Sequence, residues 1–308
     1  MSGLVPALRA RLADTGYALG WSVVRAAPEP LARHTFALGA ELAHRRGGPA
    51  LSRLRANLAR VAPSADPDAL DTLTREATRS YARYWCEVFR LPAMAPERIV
   101  DGMTTVGEQR LHASVAAGRG TILALPHSGN WDHAGAWCGL TGVPFTTVAE
   151  RLRPESLFDR FVAFRESLGM EVLPLSGGAR APFEVLCERL ATGGTLCLLA
   201  DRDLSARGVD VTFFGAATRM PAGPASLALR TGATLLPVTL SFRPDGWQAV
   251  FHEAVPHSGV PTMTQQLADA FAAGIAAHPA DWHMLQRLWL EDLAVDDPRR
   301  AASTRETW

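Results

Sequence analysis

From about residue 105 onward, short β-branched or leucine-rich runs alternate with helical segments, a pattern that leaves few folds open to the chain. The candidate strands are 121–125, 145–149, 171–175, 195–200, 234–240 and 248–255, and helical spacing falls near 131–140, 154–168, 180–191, 223–231 and 262–277. Strands in such alternation bury both faces of a sheet under helices, so the expected fold is α/β, a mixed central sheet with helices on both faces. Before it, residues 4–46 read as two helices separated by "APEP" at 27–30, with further helical stretches at about 50–61 and 68–90. The expected organisation is a helical N-terminal region over 1–100, packed on the core and facing a membrane, and an α/β core over 101–308, the two forming one continuous domain.

Charge sharpens the reading of the N-terminal region. The 31 basic residues, all arginine, match 31 acids, so the whole chain offers no global reason to bind nucleic acid. Residues 1–60 nevertheless carry nine arginines against Asp14, Glu29 and Glu41, a local excess of six positive charges. The stripe Leu4, Leu8, Leu12, Leu19 and Val23 either packs on the rest of the protein or meets lipid, with the arginines against anionic headgroups. No apolar run approaches the roughly 18 to 20 residues of a membrane span, and Arg9, Arg11 and Asp14 interrupt the N-terminus unlike a signal peptide, so a cytoplasmic, peripheral protein is expected. Cys86, Cys138, Cys187 and Cys197 have no Cys-x-x-Cys spacing, which argues for reduced core residues and against a metal site.

One stretch concentrates the chemistry: "TILALPHSGNWDHAGAW", 121–137. Pro126 ends the strand, Gly129 permits an unusual turn, and Asn130 is a good cap for a helix beginning near Trp131. His127 then stands on the strand-end loop and Asp132 in the first helical turn, from which its carboxylate can reach back to the imidazole. A carboxylate on one ring nitrogen fixes the tautomer and leaves the other free to accept a proton. The bland alternative is a histidine satisfied for stability alone.

The stretch resembles the His-x4-Asp motif of glycerolipid and lipid A type acyltransferases, and "HSGNWDHAGAW" is similar to the branch of that superfamily that acylates mannosylated phosphatidylinositol. "ADRDLSARGVDVTFFG" (200–215), "MPAGPASLALRTGATLLPV" (220–238) and "DWHMLQRLW" (281–289) extend the resemblance over nearly the whole chain. It implies a glycerolipid acyltransferase-like fold and transfer of a fatty acyl group from acyl-CoA or acyl carrier protein to a mannose hydroxyl, the 6-position of the 2-linked mannose, at the cytoplasmic face of the cell membrane. No metal or cofactor is expected. The resemblance makes Asp201 a candidate charge-relay partner of His127; the related branch carries glutamate there, and whether the shorter aspartate reaches the imidazole stays open. Glu150 and Arg165 align with polar substrate-binding positions, and Arg207 and Arg230 are candidates for donor phosphates, because guanidinium forks suit phosphate oxygens. Trp282, His283 and Trp289 read as core and capping residues. Competing readings are acylation of another glycolipid such as a lipid A precursor, thioester hydrolysis, and non-catalytic lipid binding.

Overall fold

The computed structural model describes residues 20–150, 155–178, 180–203, 208–295, 297 and 300. Leu4, Leu8, Leu12, Leu19, Arg9, Arg11 and Arg207 lie outside the described residues, and the leucine stripe of the first helix is therefore described only at Val23. Residues 20–26 are helical, and α1 follows at Glu29–Arg46 with Pro30 in its first turn, so the break falls at 27–28 and the proline opens the second helix. Next come α2 (Pro49–Val61) and α3 (Pro67–Arg90), the latter capped by the Asp66 carboxylate on the backbone of Asp68 and Ala69. α4 spans Pro96–Asp101.

The remainder is the mixed α/β sheet expected from the alternation, with β1 (Met103–Val106), α5 (Glu108–Ala116), β2 (Thr121–Leu125), α6 (Trp131–Leu140), β3 (Phe145–Ala149), α7 (Glu155–Ser167), β4 (Glu171–Pro174), α8 (Pro182–Ala191) and β5 (Thr195–Leu199). A hairpin of β6 (Val209–Phe213) and β7 (Ala216–Met220) precedes α9 (Gly223–Thr231), β8 (Thr234–Arg243), β9 (Gly246–Phe251) and α10 (Val260–Ala277). The sheet runs β1-β9-β8-β2-β5-β3-β4, all neighbours parallel except the β8–β9 hairpin. Central β2 is buried at all its positions, as "TILAL" demands of a strand covered on both faces. Its side chains alternate: Ile122 and Ala124 join the core under α8, α9 and α10, while Leu123 and Leu125 join the opposite core with α6 and α7. Tyr84, Val88, Leu91 and Ile99 pack into that second core, so α3 and α4 share it with the sheet.

β1 and the β6–β7 hairpin were not legible as strands. "MTTV" is four residues long with only alternate positions part-buried. The hairpin turns at Phe214 and Gly215, both at positive φ, and pairs Asp210 opposite Arg219 with an ion pair of 2.6 Å. β8 extends past 240 to Arg243, whereas β9 stops at Phe251 and not 255.

What matters for the site is that β2, β3 and β5 are mutually parallel. The loops after them, carrying His127, Glu150 and Asp201, leave the same edge of the sheet. Gly129 makes the first of those loops possible. It has φ +58, and a Cβ there would fall 2.8 Å from the Leu240 carbonyl carbon, so both backbone and space require glycine.

Candidate active site

His127 follows β2 by two residues and is fastened to Asp201, which follows β5 on the neighbouring strand. Its backbone N–H donates to Asp201 Oδ2 at 2.9 Å, and its Nδ1 lies 2.5 Å from Oδ1. The Trp282 indole N–H donates to Oδ2 as well, at 3.0 Å. Asp201 is fully buried; burial alone would raise its carboxyl, but the His127 charge and these donors hold it below the usual range. An ionised carboxylate cannot donate, so Nδ1 carries the ring proton and Nε2 is a free lone pair. The imidazole is 24% exposed, enough to reach a substrate. Direct contact between the shorter aspartate and the histidine is thus made.

Asp132 does something else, which corrects the expectation that it holds the imidazole. The Asn130 cap forms, its Oδ1 accepting the His133 N–H at 2.9 Å, and Asp132 sits in the first turn. Its carboxylate, 1% exposed, accepts from Tyr84 Oη at 2.8 Å and from Arg165 Nε at 2.7 Å. The reason is electrostatic: a guanidinium from α7 offers a full charge and fixed donors, while the imidazole is already taken by the strand next door. Burial alone would lower the Arg165 pKa, and the Asp132 carboxylate more than reverses this. Arg165 is thus ion-paired with Asp132, and together with Tyr84 the pair bolts α3, α6 and α7 behind the motif.

The other candidates are scattered differently. Glu150 stands at the mouth of β3, 57% exposed, with its Oε2 3.6 Å from Arg202 Nη2, a link between the loops after β3 and β5. Arg230, in the last turn of α9, lies over the Phe183 ring at 5.6 Å. It precedes Thr234, which pairs with Thr121 at the start of β2, so the structure places it toward the strand end opposite His127.

Sequence reasoning missed the C-terminal clasp. Gly129 N–H donates to the Asp281 carbonyl at 2.9 Å and His283 N–H to the His127 carbonyl at 2.8 Å, so the chain at 281–283 runs along the motif like an added strand. Trp282 reaches Asp201 from one face, while Asp281 and His283 bond Ser80 from the other. Trp282 and His283 are thus site residues as well as core ones, and Trp289 is core, its indole on the Phe213 carbonyl. A contact across 81 positions leaves no signature in spacing; the block "DWHMLQRLW" pointed to it only through the resemblance.

Two buried histidines make the site acid-sensitive. His133, stacked on Trp247 at 3.6 Å, and His283 are each depressed to about 3, chiefly by burial, with Arg98 and Arg83 adding to the first and His127 to the second. An unfolded histidine titrates near 6.5. Their contribution to stability is full above about pH 6.5 and is lost as the pH falls from there toward about 3, each site taking up one proton on unfolding. Urea denaturation across this window should show the decline, and His133→Phe, which keeps a ring on Trp247, should remove about one proton from the slope. An unchanged slope would contradict the assignment.

An α/β sheet bearing a His-x4-Asp motif at the mouth of its central strand, with a buried carboxylate on the imidazole, defines an acyltransferase of the lipid A type. The profile of the bacterial lipid A biosynthesis acyltransferase family matches residues 8–291, and the chain belongs to that family. It is 55% identical over 303 residues to the phosphatidylinositol mannoside acyltransferase of Mycolicibacterium smegmatis, covering 98% of each chain. It is also 54% identical over 295 residues to the protein of that name from Mycobacterium tuberculosis, covering 94% of this chain and 91% of the relative.

Proposed function

We propose that this acyltransferase moves a fatty acyl group from acyl-CoA or acyl carrier protein to a mannose hydroxyl of phosphatidylinositol mannoside, at the 6-position of the 2-linked mannose. The observation that carries the reading is the His127–Asp201 pair, a histidine with one nitrogen fixed and the other free at the open edge of the sheet. A sugar hydroxyl is a weak nucleophile at neutral pH. Nε2 takes its proton as the oxygen attacks the thioester carbonyl, a contribution of about 10²–10⁴-fold. The tetrahedral intermediate then collapses with cleavage of the C–S bond, and the imidazolium returns the proton to the departing thiolate. Asp201 stabilises the imidazolium without itself being protonated.

The neighbouring nucleophiles favour direct transfer. Ser128 is buried, with Oγ turned onto the Leu240 N–H at 3.4 Å, and burial pushes the Cys138 thiol far up. Purified protein with acyl-CoA should release thiol in step with an acylated glycolipid when phosphatidylinositol dimannoside is present, with no acyl-enzyme by intact mass. Thiol release that ignores the glycolipid would mean a hydrolase.

The localisation proposed with this function is peripheral, at the cytoplasmic membrane face, and a lipid acceptor supports the membrane part of it. No helix among the described residues is long and apolar enough to cross a membrane. Leu31, Leu38 and Leu42 are exposed on one side of α1, and Arg45 and Arg46 close its last turn. Arg45→Glu/Arg46→Glu should weaken sedimentation with anionic liposomes at low salt; equal binding would exclude this face.

A further inference from the structure

We propose that Trp282 is a positioning residue of the reaction: its indole N–H, aimed by the β6–β7 hairpin, keeps Asp201 ionised and turned toward His127 while the imidazole is still neutral. The inference rests on the reading of His127 as the base.

Asp201 is a fully buried carboxylate without a fixed countercharge, and its hydrogen bonds among the described residues come from His127 and Trp282. Burial presses its carboxyl toward protonation, and before the imidazolium forms only neutral donors oppose this. Two of those donors belong to His127 itself, the backbone N–H on Oδ2 and Nδ1 on Oδ1. The indole, 3.0 Å from Oδ2, is the one brought from a distant part of the chain. Asp132 is the contrast, since there the Arg165 guanidinium supplies a full opposite charge. A guanidinium on Asp201 would neutralise the carboxylate that has to stabilise the imidazolium. A neutral N–H keeps it ionised and leaves its charge for the ring. Because Oδ2 is held at two points, the carboxylate keeps its plane and Oδ1 stays on Nδ1.

The socket that aims the indole lies outside the main sheet, for β6 and β7 pair with each other and not with the seven strands. Their turn carries Phe214 at φ +48, the one non-glycine residue at positive φ among the described residues. Left-handed backbone is costly for a bulky side chain, and such strain gathers where a site requires it. Here it sets Phe214 and Phe213 around the indole, with ring centroids 6.2 and 5.9 Å from that of Trp282. Trp289 closes the cluster edge-on at 6.1 Å, and its own N–H donates to the Phe213 carbonyl at 3.1 Å. The Thr218 hydroxyl donates to the Leu288 carbonyl at 2.7 Å, and Asn57 of α2 donates to the Met284 carbonyl at 2.7 Å. The hairpin, the C-terminal segment and α2 thus hold Trp282 fully buried with its N–H on Asp201.

Trp282→Phe deletes the donor and keeps a ring in the cluster. The His127–Asp201 pair should then take up its proton at a higher pH, which occupies the base. In transfer from acyl-CoA to phosphatidylinositol dimannoside, the acid limb of the kcat/KM profile should move up by about half a unit to one unit, with both KM values within about twofold of the parent. Neighbouring groups do not supply this limb. His283 is kept neutral by burial down to about 3, the Asp281 carboxylate is taken by Ser80 and the Phe242 N–H, and Glu150 pairs with Arg202. Trp289→Phe removes an indole N–H from the same cluster without touching Asp201 and should leave the limb in place. If Trp282→Phe fails to fold, benzothienylalanine in place of Trp282 puts sulfur where the N–H was within the same shape, and the same shift is expected. A limb that stays put in the folded Trp282 variant, or that moves equally in Trp289→Phe, would make the indole a packing residue only and overturn the proposal. Parental rates in His127→Ala would refute the base itself, whereas a His127-dependent parent with an unmoved limb in the variant refutes the role of Trp282 alone.

Discussion

Replacing His127 by alanine should lower acyl transfer by about 10²–10⁴-fold, a rise in the barrier of roughly 3 to 5 kcal/mol, in a protein that still folds. The side chain supplies a lone pair at the strand mouth that is both oriented and open to substrate. Removing it takes away the group that accepts the hydroxyl proton as the thioester is attacked. Folding survives because Asp201 retains the His127 backbone N–H and the Trp282 indole, both bonded to Oδ2. Initial rates of glycolipid acylation, normalised to folded protein by circular dichroism, decide the matter. A rate near that of the parent would remove His127 from the chemistry.

The second large effect separates two aspartates that sequence alone ranked in the other order. Asp201→Asn should cost about 10³- to 10⁴-fold in turnover with little change in stability. The amide presents an N–H to Nδ1, the ring proton moves to Nε2, and the lone pair required for catalysis is gone. Asp132→Asn should instead cost stability. It leaves the Arg165 guanidinium without its carboxylate in a buried place, a loss of about 3 to 5 kcal/mol, while turnover per folded molecule falls far less. The signature is a split: denaturation midpoints move with Asp132, and turnover moves with Asp201. Equal effects of both variants on turnover, at unchanged midpoints, would restore Asp132 to the imidazole.

Why the sequence misranked them is a matter of topology. Within "LPHSGNWD" the strand, the glycine turn and the Asn130 cap are local features with local causes, and each forms at the residues that announce it. The helical and β-type periods likewise placed most of the sheet and its covering helices. Adjacency in sequence made Asp132 the natural partner of His127. The actual partner depends on β5 lying beside β2, a pairing between residues 74 apart that only the strand order decides. Tyr84 and the 281–283 clasp were illegible for the same reason, since a phenol on α3 and an indole near the C-terminus look like ordinary core until the sheet brings them to one point. Arg165 was singled out through resemblance as a substrate contact, and its bond to Asp132 gives it a supporting place that spacing did not announce.

The most direct test is the imidazole ¹⁵N–¹H spectrum of His127, assigned by its absence from His127→Ala. In the parent the ring proton should sit on Nδ1, strongly deshielded by the short bond to Asp201, with Nε2 unprotonated. Asp201→Asn should transfer that proton to Nε2, and a folded Asp132→Asn protein should leave it on Nδ1. A parent ring protonated at Nε2, or a proton that moves with Asp132 and ignores Asp201, would contradict the assignment of His127 and Asp201 as the base and its anchor.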